Sequence, residues 1–182
     1  MRPLQSIAMG LVIVALNATF QGYDALPDPL GWVLVLRGAA ALPEDLVRRG
    51  VVRTLAVLAL LVSVPLWFPA VTDELTDLDP AIGWALTLPQ VGFLVVLADS
   101  LGRAAGEAGD LRARAWCRTL SVVFVVVGVL PVLIFGGGVE DLVVPAGTVA
   151  VLSLVALVWL LFSWSARPWA APRSHPQQPA PA

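Results

Sequence analysis

Six apolar stretches separated by short polar segments make up most of this chain. They cover approximately residues 4–20, 29–42, 51–68, 80–97, 119–135 and 142–164. Most of them show neither the alternation of apolar and polar residues seen in a half-buried strand nor the polar face of a soluble helix. Such continuous apolar stretches are typical of transmembrane helices. The pattern therefore predicts an all-α fold, a polytopic membrane helix bundle of about six transmembrane helices.

The second stretch is an exception because of its length. Its 14 residues would reach only about 21 Å as a helix, short of a hydrocarbon core of about 30 Å, and it contains Arg37. Either the helix continues through Pro43 with a kink, or it stops and the bilayer adjusts. We expect Arg37 to reach the cytoplasmic headgroups with its guanidinium. Residues 43–45 predict a new helix start, followed by a short amphipathic segment to Gly50.

Composition supports one membrane domain. The chain is 58% hydrophobic and only 13% charged, which leaves too little polar surface for a soluble domain of 182 residues. We expect residues 1–165 to form the integral membrane domain and the Pro-rich residues 166–182 to form a disordered cytoplasmic tail. The first stretch follows a single Arg2, so a cleaved signal peptide is an alternative, although no clean cleavage site follows before Gln21.

The charges are divided between the predicted loops by sign. All 11 basic residues are arginines, and with six spans they fall on one side together with five acids, a net charge of +6. The other side holds eight acids and no arginine. The positive-inside rule then places both termini in the cytoplasm. A strong preference for Arg over Lys, with much Ala, Val, Leu, Gly and Pro, favours a bacterial inner membrane.

The most distinctive motif covers residues 23–32, between the first two stretches. Its candidate functional residues are Asp24, Leu26, Pro27, Asp28, Gly31 and Trp32. The run Asp-x-Leu-Pro-Asp followed by Gly-Trp resembles a family of uncharacterised small bacterial multi-pass membrane proteins. This resemblance covers about 20 residues, implies a polytopic membrane fold and implies no known activity. The family often has Phe or Ile after the second Asp, where this chain has Pro29 and Leu30.

The motif has a functional and a structural interpretation. Asp24 and Asp28, four residues apart at the outer interface, are able to bind a cation or relay a proton. Alternatively, Asp28 caps a helix and Asp24 braces the turn, which we favour because Asp-Pro at a helix start is readily explained. Arg37 has either a functional role inside the span or a role in packing and orientation.

Two further polar residues fall within predicted spans. Asn17 and Gln90 are predicted to hydrogen-bond between helices, or to line a path where Pro89 interrupts the fourth span. Gly31, Gly38 and residues 39–41 give the second span a face of small residues, which predicts close helix approach within the protein or between subunits.

Several classes of site are excluded by residue content. Cys117 is the only cysteine, so no intramolecular disulfide forms, and His175 is the only histidine and lies in the tail. We predict no metal site, no cofactor and no catalytic residues, because none of the catalytic motifs sought is found. The inner arginine clusters predict topology and contact with anionic lipids rather than nucleic-acid binding.

Three functions follow, in order of preference. The first is a non-enzymatic integral membrane protein with a structural, partner-binding or lipid-binding role in the bilayer, either as a homo-oligomer or with a membrane protein partner. The second is a small oligomeric transporter or channel that uses the outer-face carboxylates. The third is an intramembrane enzyme acting on lipid with Asp24 and Asp28 as acid and base, for which no nucleophile or oxyanion site is found nearby.

Overall fold

The computed structural model describes residues 2–16, 19–20, 23–24, 28–68, 71 and 80–170. Six α-helices lie in this part of the chain: α1 (Pro3–Ala15), α2 (Asp28–Ala40), α3 (Arg49–Leu66), α4 (Pro80–Glu107), α5 (Leu111–Gly137) and α6 (Val143–Trp164). Two short strands, β1 (Thr19–Phe20) and β2 (Tyr23–Asp24), connect α1 to α2, and 3-10 helices cover Glu140–Leu142 and Pro168–Ala170. The all-α polytopic bundle predicted from the sequence is confirmed.

Four of the described helices are long and apolar enough to cross a membrane, and they are α3, α4, α5 and α6. The other two differ, because α1 and α2 have 13 residues each. Such a helix is about 20 Å long, less than the hydrocarbon core of about 30 Å. The protein is therefore a helical membrane protein, and α1 and α2 are each shorter than the hydrocarbon core.

The six helices form a closed ring. Each helix packs against the next one in sequence, and α6 packs against α1. Helix α1 is the innermost element, since seven of its 13 residues are buried, whereas in each long helix at most 28% of an 18-residue apolar stretch is buried. The largest fully buried side chains of the core include Trp32, Phe93, Leu4, Ile7, Leu11, Leu97, Leu101, Leu157 and Leu161. The exposed apolar residues of the long helices consequently face lipid.

Helices α1 and α2 form a hairpin whose connection begins earlier than the sequence indicated. The first helix was expected to reach Phe20, but it ends at Ala15, and β1 pairs antiparallel with β2. Thr19, Phe20 and Tyr23 are residue types that favour strands, which is consistent with this pairing. Ser6 Oγ donates a hydrogen bond to the carbonyl oxygen of Leu34 at 2.8 Å and joins the two helices.

The connection between α2 and α3 is a series of turns and not the amphipathic helix expected after Pro43. The backbone of Arg48 is left-handed, with φ of 62°, so a helix cannot continue through this residue. Leu42, Pro43 and Leu46 are nevertheless buried. Arg49 Nη2 donates a hydrogen bond at 2.7 Å to the carbonyl oxygen of Ala40, which otherwise lacks a partner within the helix. This contact closes the end of α2.

The polar segment between the fourth and fifth apolar stretches, residues 99–118, is helical for most of its length. Helix α4 runs to Glu107 and α5 begins at Leu111. The turn between them contains Gly109 with φ of 78°, and the amide of Asp110 donates to the carbonyl of Ala105 at 2.8 Å, as in a Schellman motif. Asp110 Oδ1 then caps α5 by accepting a hydrogen bond from the amide of Ala113 at 3.1 Å.

Prolines within the long helices do not divide them. Helix α4 is continuous through Pro89, so the expected interruption of the fourth span is wrong, and α5 is continuous through Pro131. A polar contact joins these two helices near the second proline. Trp84 Nε1 donates a hydrogen bond at 3.0 Å to the carbonyl oxygen of Gly128. A side chain at Gly128 would contact Val91 Cγ1 at 2.8 Å, so glycine allows this close approach.

Replacing Trp84 with phenylalanine is expected to lower the free energy of unfolding by about 1 kcal/mol, the usual scale of one interhelical hydrogen bond. The measurement is denaturant unfolding in detergent, followed by circular dichroism. Trp159→Phe is the matched control, because it removes the same atoms from a ring that is 68% exposed. Equal losses in the two variants would contradict a role for the Nε1 hydrogen bond.

The segment after α6 folds back onto the bundle. The tail was expected to be disordered from Ala166, but Pro168–Ala170 form a 3-10 helix with Ala170 buried. The rings of Trp164 and Trp169 lie with their centroids 5.9 Å apart. This segment also packs against α4. Residues 171–182 lie outside the described part of the chain.

Candidate functional site

The structure describes only part of the motif at residues 23–32. Asn17, Leu26 and Pro27 lie outside the described residues, and for Asp24 only the backbone position in β2 is described. Asp28 is the first residue of α2 and is half-buried. A role of Asp24 and Asp28 in binding a cation therefore stays a prediction.

Gly31 and Trp32 lie in the helix packing of the bundle. A Cβ atom on Gly31 would lie 2.8 Å from the carbonyl oxygen of Gly10 on α1. The ring of Trp32 is 2% exposed and packs edge to face on Phe93 of α4, with centroids 5.4 Å apart. A tryptophan near the end of an apolar stretch often anchors the membrane interface, but the ring of Trp32 points into the core. The predicted close approach of α2 is confirmed at Gly31 and Gly38, which contact α1, whereas Ala40 and Ala41 are exposed.

Arg37 and Gln90 are not brought together with the motif. Arg37 is exposed in the last turn of α2, where a cation interacts favourably with the negative end of the helix dipole. Gln90 is half-buried on α4. The structure therefore assembles no single site from the residues that the sequence singled out, as far as the described residues show.

A polar cluster does assemble where the start of α3 meets the C-terminal part of α4. Asp99 Oδ2 lies 3.1 Å from Arg48 Nη1 and 3.0 Å from Arg103 Nε. These side chains are between 30% and 52% exposed, so water screens their attraction and each pair stabilises the fold only modestly. Arg48 attaches the start of α3 to α4, whereas Arg103 pairs with Asp99 within α4, and the three side chains together carry a net charge of +1.

Next to this cluster is a cavity of about 470 Å³, which we call the α4–α5 cleft. Gly102 and Gly106, one turn apart on α4, leave one wall without side chains. A Cβ atom on Gly102 would lie 2.9 Å from Cys117 Cβ, and one on Gly106 would lie 2.8 Å from Arg114 Cδ. Arg114 and Arg118, one turn apart on α5, line the cleft opposite these glycines. Asp99, Arg103 and Glu107 complete its lining.

Arg114 and Arg118 differ in their partners from Arg103, the other arginine that lines the cleft. Arg103 Nε lies 3.0 Å from Asp99 Oδ2. Within the described part of the chain, neither Arg114 nor Arg118 forms such an ion pair. Two guanidinium groups with unused donors thus face a cavity, an arrangement suited to an anion with several acceptor oxygens.

No protein-family model matches the chain, and no curated protein or solved structure shows significant similarity to it. The candidate site is therefore judged on its geometry alone.

The sequence analysis identified the inner arginines but not the cleft that they line. The available signal was the pairing of two spacings, Gly102 with Gly106 and Arg114 with Arg118, each separated by four residues. Residues four apart share one face of a helix, so both pairs line one surface if α4 and α5 form a hairpin. The polar composition of residues 99–118 is also compatible with a loop, in which this spacing carries no information.

Proposed function

We propose that this protein is a non-enzymatic integral membrane protein of the bacterial inner membrane that binds anionic lipid headgroups in the α4–α5 cleft. The observation that carries the proposal is the pair Arg114 and Arg118, which face a cavity without a carboxylate partner among the described residues. A phosphate group offers acceptor oxygens that match the planar donors of arginine. The role is a lipid-binding or structural one in the bilayer.

The proposed orientation places this cleft at the cytoplasmic surface. Arg48 and Arg53 near the start of α3, and Arg167 after α6, lie on the same side of four membrane-crossing helices. The hairpin of α1 and α2 returns to the side of the membrane on which it starts. Arg2 and Arg37 therefore lie on the same side as the start of α3, whether or not the hairpin crosses the membrane fully. Because arginine is retained on the cytoplasmic side, both ends of the described chain are cytoplasmic.

The position of the cleft along α5 supports a lipid ligand. Arg118 directly precedes the continuous apolar part of α5, and Trp116, with 46% of its surface exposed, lies in the same turn. Exposed tryptophan is typical of the headgroup region of a bilayer. Basic groups at this depth attract anionic lipids by about 1 kcal/mol each.

Replacing Arg114 and Arg118 together with glutamine is expected to weaken binding of dihexanoyl phosphatidylglycerol by about 30-fold, as two lost contacts of about 1 kcal/mol each imply. The measurement is a titration of the detergent-solubilised protein with this short-chain lipid, followed by tryptophan fluorescence. Inorganic phosphate is titrated separately, because the cleft also offers a site to a free anion.

The control for this experiment is the double variant Arg2→Gln with Arg53→Gln. It removes the same charge from two exposed arginines outside the cleft. Equal weakening in both double variants would show that only overall charge attracts the lipid. Phosphate binding as tight as lipid binding would show that the ligand is a soluble anion.

A further inference from the structure

A second concave surface lies between the inner ends of α5 and α6. This α5–α6 groove has a volume of about 310 Å³. Its floor contains Ala156 and Leu160 of α6, and the rings of Trp116 and Trp159 line it. Trp159 is 68% exposed and Trp116 is 46% exposed, so the groove is open toward the surroundings of the bundle. It is separate from the α4–α5 cleft, with which it shares no lining residue.

The two ends of the groove differ in polarity. At the cytoplasmic end, the rim of the groove carries Arg112 and Arg167, with Ser163 beside them. The end deeper in the bilayer is lined by Ala156 and Leu160. About 10 Å of helix separates Ser163 from Ala156. The headgroup layer on one side of a bilayer is only about 5–8 Å thick, so the deep end lies at the depth of the acyl chains.

The charges at the polar end leave the groove cationic. Asp110 Oδ2 lies 3.6 Å from Arg167 Nη1, and Asp110 Oδ1 is occupied by the amide of Ala113. The negative charge of Asp110 is therefore compensated by Arg167, and its other oxygen is bound by the first turn of α5. Arg112, by contrast, forms no ion pair with any described residue. The groove thus has a net charge of +1 above an apolar floor.

We propose that the α5–α6 groove binds one anionic phospholipid molecule. One acyl chain lies along Ala156 and Leu160 beside the two tryptophan rings, and the phosphate lies against Arg112 and Arg167. This site goes beyond the headgroup binding proposed for the α4–α5 cleft, since it recognises the chain as well as the phosphate. The exposed tryptophans and the cationic rim are both at the depth that such a lipid requires.

The test uses phosphatidylglycerol with a photoreactive acyl chain, incorporated into vesicles that contain the full-length protein. Irradiation followed by peptide mass spectrometry is expected to label the inner halves of α5 and α6. Ala156→Phe fills the floor of the groove and is expected to reduce this labelling at least about fivefold, which corresponds to about 1 kcal/mol. Val155→Phe is the control, because Val155 is 58% exposed and lies outside the groove.

Three results would overturn the proposal. The first is equal labelling of these peptides in both phenylalanine variants. The second is equal labelling by diacylglycerol that carries the same chain, because the phosphate would then make no contact. The third is labelling spread evenly over the lipid-facing helices. The variant with Arg114→Gln and Arg118→Gln is expected to keep the groove labelling, so failure of the cleft and failure of the groove are separate outcomes.

Both phenylalanine variants are first checked for correct folding. Each is expected to keep the helical circular dichroism signal and the SDS unfolding midpoint of the unmodified protein. A variant with a lower midpoint is replaced by Ala156→Leu, which fills less of the groove. The expected decrease in labelling is then smaller but has the same direction.

Discussion

Gly10→Ala is expected to lower the free energy of unfolding by about 3 kcal/mol, which is the upper end of the usual range for overpacking. The added Cβ atom would lie 2.4 Å from the carbonyl oxygen of Gly31 and 2.8 Å from the amide nitrogen of Val35. Both are backbone atoms of α2, so the clash is relieved only if the two helices move apart. Separation would also break the hydrogen bond from Ser6 Oγ to Leu34.

The measurement is unfolding of the purified protein in mixed micelles with increasing SDS, followed by circular dichroism. Gly83→Ala is the control, because it makes the same substitution in α4, where a Cβ atom would meet nothing within 4 Å. Alanine favours a helix over glycine, so this control is expected to be neutral or to stabilise by up to about 1 kcal/mol. A similar small gain from Gly10→Ala would show that α1 and α2 are not in this contact.

Gly38 makes the same kind of close contact at the other end of the hairpin. A Cβ atom there would lie 2.7 Å from the carbonyl oxygen of Pro3 and 2.9 Å from the amide nitrogen of Ile7. Gly10, Gly31 and Gly38 thus allow backbone contact along most of the α1–α2 interface. In a bilayer, where lipid solvates apolar side chains as well as protein does, such close packing is a principal source of helix association.

Trp32→Ala is expected to lower the free energy of unfolding by about 3 kcal/mol. Its ring is 2% exposed and packs edge to face on Phe93, so the substitution leaves a large cavity where α2 meets α4. Removing a buried aromatic ring costs about 3–5 kcal/mol in soluble proteins. We expect the lower end of this range, because part of that cost comes from the transfer of apolar surface from water.

The same SDS titration measures this loss, with Trp159→Ala as the control at a ring that is 68% exposed. Phe93→Ala and the double variant complete a cycle with Trp32→Ala. The cycle is expected to give a coupling energy of about 1 kcal/mol, the scale of an aromatic pair. If Trp32→Ala is no more damaging than Trp159→Ala, then Trp32 is an interface anchor, as its position in the sequence had indicated.

The sequence alone was enough to predict the helical class of the protein and its place in a membrane. A long apolar stretch is stable in a bilayer as a helix, because a helix satisfies its own backbone hydrogen bonds. Arginines and acids are divided between alternate loops, and the positive-inside rule converts this division into the proposed orientation. That rule also depends only on local sequence. Both inferences depend on each segment and the solvent around it, and neither requires knowledge of which helices touch.

The tertiary structure decided the roles of individual residues within those segments. From the sequence, the position of Trp32 near the end of an apolar stretch indicated the headgroup region, and the contact with Phe93, 61 positions away, was not visible. The cleft likewise depends on α4 and α5 continuing as helices beyond the predicted spans, so that Gly102 and Gly106 face Arg114 and Arg118. Contacts between distant segments depend on how whole helices pack, which the pattern along one helix does not contain.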